Sequence, residues 1–129
     1  MLTAKQLGEL KAKLESRNRQ LREEIRQELL DSDEEHYIDL AGQVHDLEEE
    51  SVADLLIDLG LSIIDMHIKE LRDVEAALRR MHVGAYGVCI ECDDEMELAR
   101  LKAFPTARRC LPCQENYERN HAGNQTFTL

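Results

Sequence analysis

The stretch CIECDDEMELARLKAFPTARRCLPC, from Cys89 to Cys113, contains all four cysteines of the 129-residue chain. They form two Cys-x-x-Cys pairs, Cys89/Cys92 and Cys110/Cys113, which are separated by seventeen residues. A tight turn lets both sulfurs of one pair face the same point, and two such turns complete a tetrahedral set of zinc ligands. We therefore predict a structural zinc site made of these four cysteines, with no open position for water or substrate.

Residues around the two pairs suit such a site. Gly87 permits a sharp bend before the first pair, and Arg108 and Arg109 offset the negative charge that four thiolates keep after one Zn²⁺ has bound. The alternatives are disulfides, redox-active thiols, or a histidine, His82 or His121, in place of one cysteine. Zinc is favoured because disulfides in a reducing compartment are mostly transient.

The charge of the chain argues against nucleic acid as a partner. The formal net charge is −11 and the isoelectric point is near 4.8. Residues 86–121 contain seven acidic and five basic side chains, whereas affinity for DNA comes largely from Lys and Arg contacts with phosphates. The N-terminal segment lacks the apolar core of a signal peptide, and no segment reaches the ~18 apolar residues of a membrane span. We therefore expect a cytoplasmic protein without direct DNA binding or membrane contact.

The sequence also lacks the usual catalytic patterns. It contains no Gly-rich phosphate loop and no nucleophile elbow, and its five histidines have no helical metal-binding spacing. A zinc ion with four thiolate ligands has no position free for metal-assisted hydrolysis. We therefore do not expect an enzyme.

Two apolar stripes precede the cysteines. The first runs from Leu10 to Leu29 and predicts a long amphipathic helix that begins near Thr3, with the acidic run 31–35 as a point where it can break. The second runs from Ile57 to Met81 with nearly the spacing of a coiled-coil seam, and it predicts a helix that ends near His82.

A turn is predicted between these two helices. Gly42 suits a helix C-terminus, and Asp46–Glu49 has a capping-box pattern that suits the start of the next helix. The helices, each ~55 Å long, should then pack as an antiparallel hairpin.

One part of the second stripe, residues 55–66, is apolar on nearly all sides. A two-helix hairpin buries one face of such a helix, so a partner or a second copy would have to cover the rest. We predict a partner surface there, at Leu56, Ile57 and Ile63.

Acidic side chains are concentrated around the predicted turn. From Gln27 to Ile68 there are thirteen Asp or Glu residues and no Lys or Arg. Such a block repels itself, so it is either a solvated face that keeps the protein soluble or a probe for a basic cleft or a metal-bearing channel.

The cysteine segment resembles the zinc finger of the DksA/TraR family of bacterial transcription regulators at Tyr86–Cys89, at Leu101–Ala107 and in the closing pair of cysteines. The resemblance implies a mainly α fold with three parts. Residues 1–84 form a long antiparallel helical hairpin, or coiled coil, with an acidic tip near 42–51. Residues 85–121 form the C4 zinc finger with a short C-terminal helix, and residues 122–129 form a flexible tail.

The resemblance also implies a partner, RNA polymerase. In this family the coiled-coil tip enters the secondary channel of the polymerase, approaches the active-site Mg²⁺ and changes the lifetime of promoter complexes. The family tip carries Asp, Asp and Ala, and the matching residues here are Asp46, Glu49 and Ser51. Acidic charge is therefore kept, while the reach and shape of the tip change.

Regulators of this family often act together with the alarmone ppGpp. The basic family positions that serve ppGpp fall on Met66, Asp73 and Gln114, and none of these residues is basic. We therefore expect a monomeric polymerase regulator with structural zinc and little or no response to ppGpp. The alternative is a zinc-stapled coiled-coil adaptor that binds another protein through residues 55–66.

Overall fold

The computed structural model describes residues 1–31, 35–46, 52–58 and 65–121. Within these ranges the chain forms helices α1 (Ala4–Asp31), α2 (Glu35–Asp46), α3 (Val52–Asp58), α4 (Asp65–His82), α5 (Leu98–Ala103) and α6 (Leu111–Asn120). The β structure of this part is one isolated bridge, so the mainly α fold class is confirmed. No helix of the described ranges is long and apolar enough to cross a membrane.

Helix α1 begins where its sequence predicts. The N–H of Gln6 donates to Thr3 Oγ1 at 3.1 Å, and the N–H of Thr3 donates to Gln6 Oε1 at 3.0 Å. This reciprocal pair is a capping box, which satisfies two N–H groups at the helix start. The helix ends at Asp31, at the acidic run that predicted a break.

Helices α1 and α4 form the predicted antiparallel pair. Arg17 Nη2 lies 2.6 Å from Glu70 Oε1, and further along α1 the ring of His67 lies between Glu24, at 3.3 Å, and Glu28. The Arg17 hydrogen bond holds the pKa of Glu70 below its ordinary value. The seam contains buried aliphatic side chains from both helices: Leu14, Leu21, Ile25, Leu29, Ile68, Leu71 and Val74.

The predicted helix boundaries at Gly42 and Asp46 are wrong. Gly42 lies inside α2 and not at its C-terminus, and Asp46 is the last residue of α2 and not the cap of a following helix. Helix α2 packs against α1. Only three residues separate the two helices, so α2 can contact α1 only if it runs antiparallel to it.

Helix α3 packs against α4 and buries the side chains of Val52, Ala53 and Leu56. Leu56 therefore does not belong to an exposed partner surface, because the chain's own fourth helix covers it. Ile57 on the same helix is 43% exposed. Ile63 lies outside the described residues, so a partner surface at Ile57 and Ile63 stays a prediction.

Helix α4 ends at His82, as the sequence predicts. The N–H of Ala85 donates to the carbonyl of Arg80 at 2.8 Å, and the N–H of Gly84 donates to that of Met81 at 3.2 Å. With Gly84 at φ +77°, this is a Schellman motif, which ends the helix and turns the chain into the cysteine segment.

Truncation of Leu71 tests the α1/α4 seam. Leu71 is fully buried, so Leu71→Ala should lower the free energy of unfolding by ~2–5 kcal/mol. Met66→Ala is the matched control on the same helix, because Met66 is 85% exposed, and its effect should stay within ~0.5 kcal/mol. Urea unfolding of the zinc-loaded chain measures both. Equal losses in the two variants would contradict the packing described for α4.

Candidate metal centre

The first cysteine pair lies in a tight turn between Gly87 and Met96. The N–H of Cys89 donates to the carbonyl of Asp94, and the N–H of Met96 donates to that of Gly87, both at 2.8 Å. Gly87 has φ +85°, and a Cβ added there would lie 3.2 Å from Leu2 Cδ1. A larger residue at this position is therefore disfavoured both by backbone conformation and by the packing of Leu2.

The second pair lies at the start of α6. Cys110 is the N-cap residue of that helix, and a proline stands in its first turn, where a missing N–H costs no hydrogen bond. The N–H of Ile90 donates to the carbonyl of Arg108 at 2.9 Å. This hydrogen bond connects the turn of the first pair to the segment that leads into the second pair.

The four cysteine sulfurs converge within 4.8 Å of one another. The Sγ atoms of Cys92 and Cys110 are 3.7 Å apart, whereas the edge of a tetrahedron with Zn–S bonds of ~2.3 Å is ~3.8 Å. The donor set and its spacing therefore fit one tetrahedral zinc ion. Among the described residues no other group of His, Cys, Asp or Glu side chains has metal-site spacing, which gives no support to His82 or His121 as a ligand.

The thiols differ in how readily they ionise. Burial of the Cys89 thiol opposes ionisation, but the backbone N–H groups of Cys92, Cys110 and Glu91 lower its pKa to about 6. The hydrogen bond with Cys110 and the loss of solvent contact raise the pKa of Cys113. Four adjacent thiolates are therefore stable only with a cation between them, and zinc binding must release protons.

Hydrogen bonds to backbone carbonyls of helix α5 and of the loop that follows it, residues 104–107, attach the finger to α1 and α4 and hold that loop within the finger. Arg80 Nη2 of α4 lies 3.4 Å from the carbonyl oxygen of Thr106. The hydroxyl of Tyr86 donates to the carbonyl of Pro105 at 2.8 Å, and Lys13 of α1 donates to the carbonyl of Lys102 at 3.0 Å. Sequence reasoning missed the contributions of Arg80 and Lys13, because neither the helical pattern nor the cysteine motif indicates a hydrogen bond to a distant carbonyl.

Arg109 links the finger to α6. Its Nε atom lies 3.1 Å from Glu91 Oε1, and its guanidinium lies 3.9 Å from the centre of the Tyr117 ring. Tyr117 in turn stacks on His121 at 4.0 Å. Beside the charge offset that the sequence predicts, Arg109 therefore holds the C-terminal helix by a cation–π contact.

The remaining predicted residues are only partly described. Asp46 is the last residue of α2, while Glu49 and Ser51 lie outside the described residues, as does the tail 122–129. Of the three positions matched to ppGpp-binding residues, Met66 is 85% exposed and Asp73 lies on α4. The third, Gln114, donates to Glu118 Oε1 at 3.2 Å.

Comparison with known proteins matches the finger and most of the chain. A family described as "Prokaryotic dksA/traR C4-type zinc finger" matches residues 84–119. Together with the four converging sulfurs, this confirms structural zinc as the cofactor. In the solved structure of "RNA polymerase binding protein and transcriptional regulator Dks" from Chlamydia trachomatis L2, 95% of the chain aligns with 93% of this one at a TM-score of 0.54 and 22% identity. That similarity supports the fold.

Two relatives are named RNA polymerase-binding transcription factor DksA. The Salmonella typhimurium protein is 30% identical over 109 residues, which is 84% of this chain and 69% of the relative. The Caulobacter vibrioides protein is 41% identical over 61 residues. That match spans 43% of the Caulobacter protein. A match to an uncharacterised Aquifex aeolicus protein spans 40% of the Aquifex protein.

Replacement of one ligand tests the metal centre. Cys110→Ser should lower the zinc content from about one ion per chain to less than about a tenth of that, and α6 should lose helix content, because serine is a poor zinc ligand. Elemental analysis and circular dichroism measure the two effects. The controls are His82→Ala and His121→Ala, which should keep the zinc. Zinc loss in either control, or full zinc in Cys110→Ser, would contradict a four-cysteine site.

High pH tests the hydrogen bond from Tyr86 to the 104–107 loop. Burial raises the pKa of Tyr86 from 10.0 to about 12, so the folded state binds this proton more tightly than the unfolded state. The contribution of the Tyr86 hydroxyl to the free energy of unfolding is present below pH 10 and is lost as pH rises through about 12. Tyr86→Phe should abolish the late tyrosinate step in an absorbance titration, whereas the control Tyr117→Phe should keep it. Identical titrations of wild type and Tyr86→Phe would contradict this assignment.

Proposed function

The chain belongs to the DksA/TraR family, and from that premise we propose that it is a cytoplasmic transcription regulator that binds bacterial RNA polymerase. One observation carries the proposal. A relative named RNA polymerase-binding transcription factor DksA is 30% identical over 84% of the chain. The aligned length extends well beyond the finger, so it includes helices that would contact a partner. RNA polymerase is therefore the expected partner, and neither DNA nor a membrane is.

We further propose that the acidic end of the chain acts in the secondary channel of the polymerase. Between Gln27 and Ile68 there are thirteen Asp or Glu residues and no Lys or Arg. Carboxylates can act where Mg²⁺ and nucleotides enter, since Mg²⁺ prefers oxygen ligands. The residues proposed to act there are Asp46, Glu49 and Ser51.

The zinc finger has a supporting role in this proposal. Its thiolates leave the zinc ion without an open position, so the metal performs no chemistry on a substrate. The finger instead connects α6 and the 104–107 loop to the base of α1 and α4. A rigid base would fix the direction in which the acidic end points.

The response to ppGpp is expected to be weak or absent. A pyrophosphate needs basic side chains, and the family positions that supply them are occupied by Met66, Asp73 and Gln114. The carboxylate of Asp73 would repel a phosphate.

The adaptor alternative is less favoured. It depended on an exposed apolar surface, and Leu56 is buried by α4. No described contact points to a different partner.

Neutralising the acidic tip tests the proposal. Asp46→Asn combined with Glu49→Gln should leave the affinity for core polymerase within about threefold, which is less than ~1 kcal/mol. The same variant should abolish the effect of the protein on promoter-complex lifetime, because the tip charges act after binding. Pull-down and lifetime assays on the zinc-loaded chain measure the two properties. In the same lifetime assay, ppGpp should add no synergy with the wild-type protein.

The matched control removes two charges at the other end of α1, by Glu9→Gln and Glu15→Gln, which are exposed residues. This control should keep both binding and the lifetime effect. Absence of polymerase binding by the wild type would refute the proposed function. Binding with an unchanged lifetime effect in the tip variant would refute the role of the tip.

A further inference from the structure

A groove lies on the surface of the finger between helix α5 and the start of α6. Its volume is about 730 Å³, which is within the range of ~300–1,000 Å³ that is usual for binding pockets. Phe104 and Leu111 line it, and these large apolar side chains are 61% and 55% exposed. Together with the exposed Pro112 they form its apolar lining. Apolar side chains that are exposed together, rather than singly, mark a surface that binds a partner.

Acidic side chains also line the groove. They are Asp94, Glu95 and Glu97, and all three are exposed. The amine of Met1 lies 3.0 Å from Glu95 Oε2 and offsets that charge, so the negative field comes mainly from Asp94 and Glu97. Cys110 belongs to the lining too. The metal centre, whose four thiolates keep a net negative charge around one Zn²⁺, therefore adds to the same field, which attracts a cation.

Arg100 is the basic side chain of the groove lining, and the finger already uses its charge. Its Nε donates to the carbonyl of Arg109 at 2.8 Å. Its guanidinium also lies 5.8 Å from the centre of the Phe104 ring. Among the described residues, Arg100 is thus directed to a main-chain oxygen and an aromatic ring, and it forms no ion pair with Asp94 or Glu97. These two carboxylates can therefore meet a basic side chain of a partner.

The metal centre contributes to the shape of the groove. One wall is α5, and the other begins with Leu111, the first residue of α6. Leu111 directly follows the cysteine ligand Cys110, and α6 buries no side chain. Zinc coordination therefore helps to hold this second wall in place opposite the first.

We propose that this groove is a second contact with RNA polymerase, and that it receives a polymerase segment in which a basic side chain stands beside an apolar one. The inference rests on the proposed function. Because the tip charges act after binding, another surface must supply the affinity. A lysine or arginine can lay its apolar stem on Phe104 and Leu111 while its charge reaches Asp94 and Glu97. Side chains that become fully desolvated in such pockets carry most of the binding energy of an interface.

Truncation of the apolar lining tests the contact. Phe104→Ala combined with Leu111→Ala should raise the Kd for core polymerase at least about tenfold, because both side chains would be desolvated in the complex. The matched control is Val83→Ala with Ile90→Ala, since these side chains are 73% and 48% exposed but do not line the groove. Its Kd should stay within about twofold of the wild type. Fluorescence anisotropy of the labelled, zinc-loaded chain measures Kd, and the zinc content and circular dichroism of each variant check that it is folded.

Neutralisation of the acidic lining tests the chemistry of the partner. Asp94→Asn combined with Glu97→Gln should raise the Kd about fivefold at low salt and make it less sensitive to salt, since fewer charges remain for salt to screen. The side chain of Glu97 makes no capping hydrogen bond to α5, so the change spares that helix. Glu115→Gln combined with Glu118→Gln is the matched control, because it removes two exposed charges of α6 outside the groove. It should leave the Kd and its salt dependence unchanged.

The outcomes separate this contact from the proposed function. Wild-type binding that both groove variants keep unchanged would overturn the groove contact and leave the proposed function standing. A Kd raised by the apolar change alone, with the acidic change behaving as its control, would overturn the basic partner segment. A wild type that does not bind polymerase would refute the proposed function, and the groove contact with it.

Discussion

Mutual repulsion of four thiolates is the constraint on which the finger depends. The sulfurs converge within 4.8 Å of one another, a distance at which several negative charges are unstable without a cation between them. A zinc ion removes the repulsion and joins two turns that come from separate parts of the chain. The hydrogen bond from Ile90 to Arg108 and the contact of Arg109 with Tyr117 join the same two turns. The metal is therefore a folding element of this protein.

The finger and the helices are connected through main-chain carbonyls. Arg80 of α4 and Lys13 of α1 reach the carbonyl oxygens of Thr106 and Lys102. Carbonyl acceptors belong to the backbone, so this connection tolerates many different side chains at the acceptor residues as long as the backbone conformation is kept. It does not tolerate loss of Arg80 or Lys13 as easily. The orientation of the metal centre relative to α1 and α4 is thus determined mainly by side chains of these two helices.

The sequence predicted well those features that depend on local chemistry. Cysteine spacing predicted the metal ligands, because a zinc ion requires a particular donor set. Thr3 predicted the start of α1, since a capping box lies within four residues, and the acidic run after Leu29 predicted its end. The turn at Gly42 was predicted wrongly for a physical reason. Apolar periodicity shows that a face is buried but not which helix buries it, and Ala41 and Val44 are covered by packing against α1. The burial of Leu56 and Glu75 was missed for the same reason.

The C-terminal helix shows how metal supply bears on the lifetime of the protein. Helix α6 buries no side chain, and its attachment includes two cysteine ligands near its start and the contact between Arg109 and Tyr117. An exposed helix of ten residues is unstable by itself in water. When zinc is scarce, this segment would open and become a substrate for proteases.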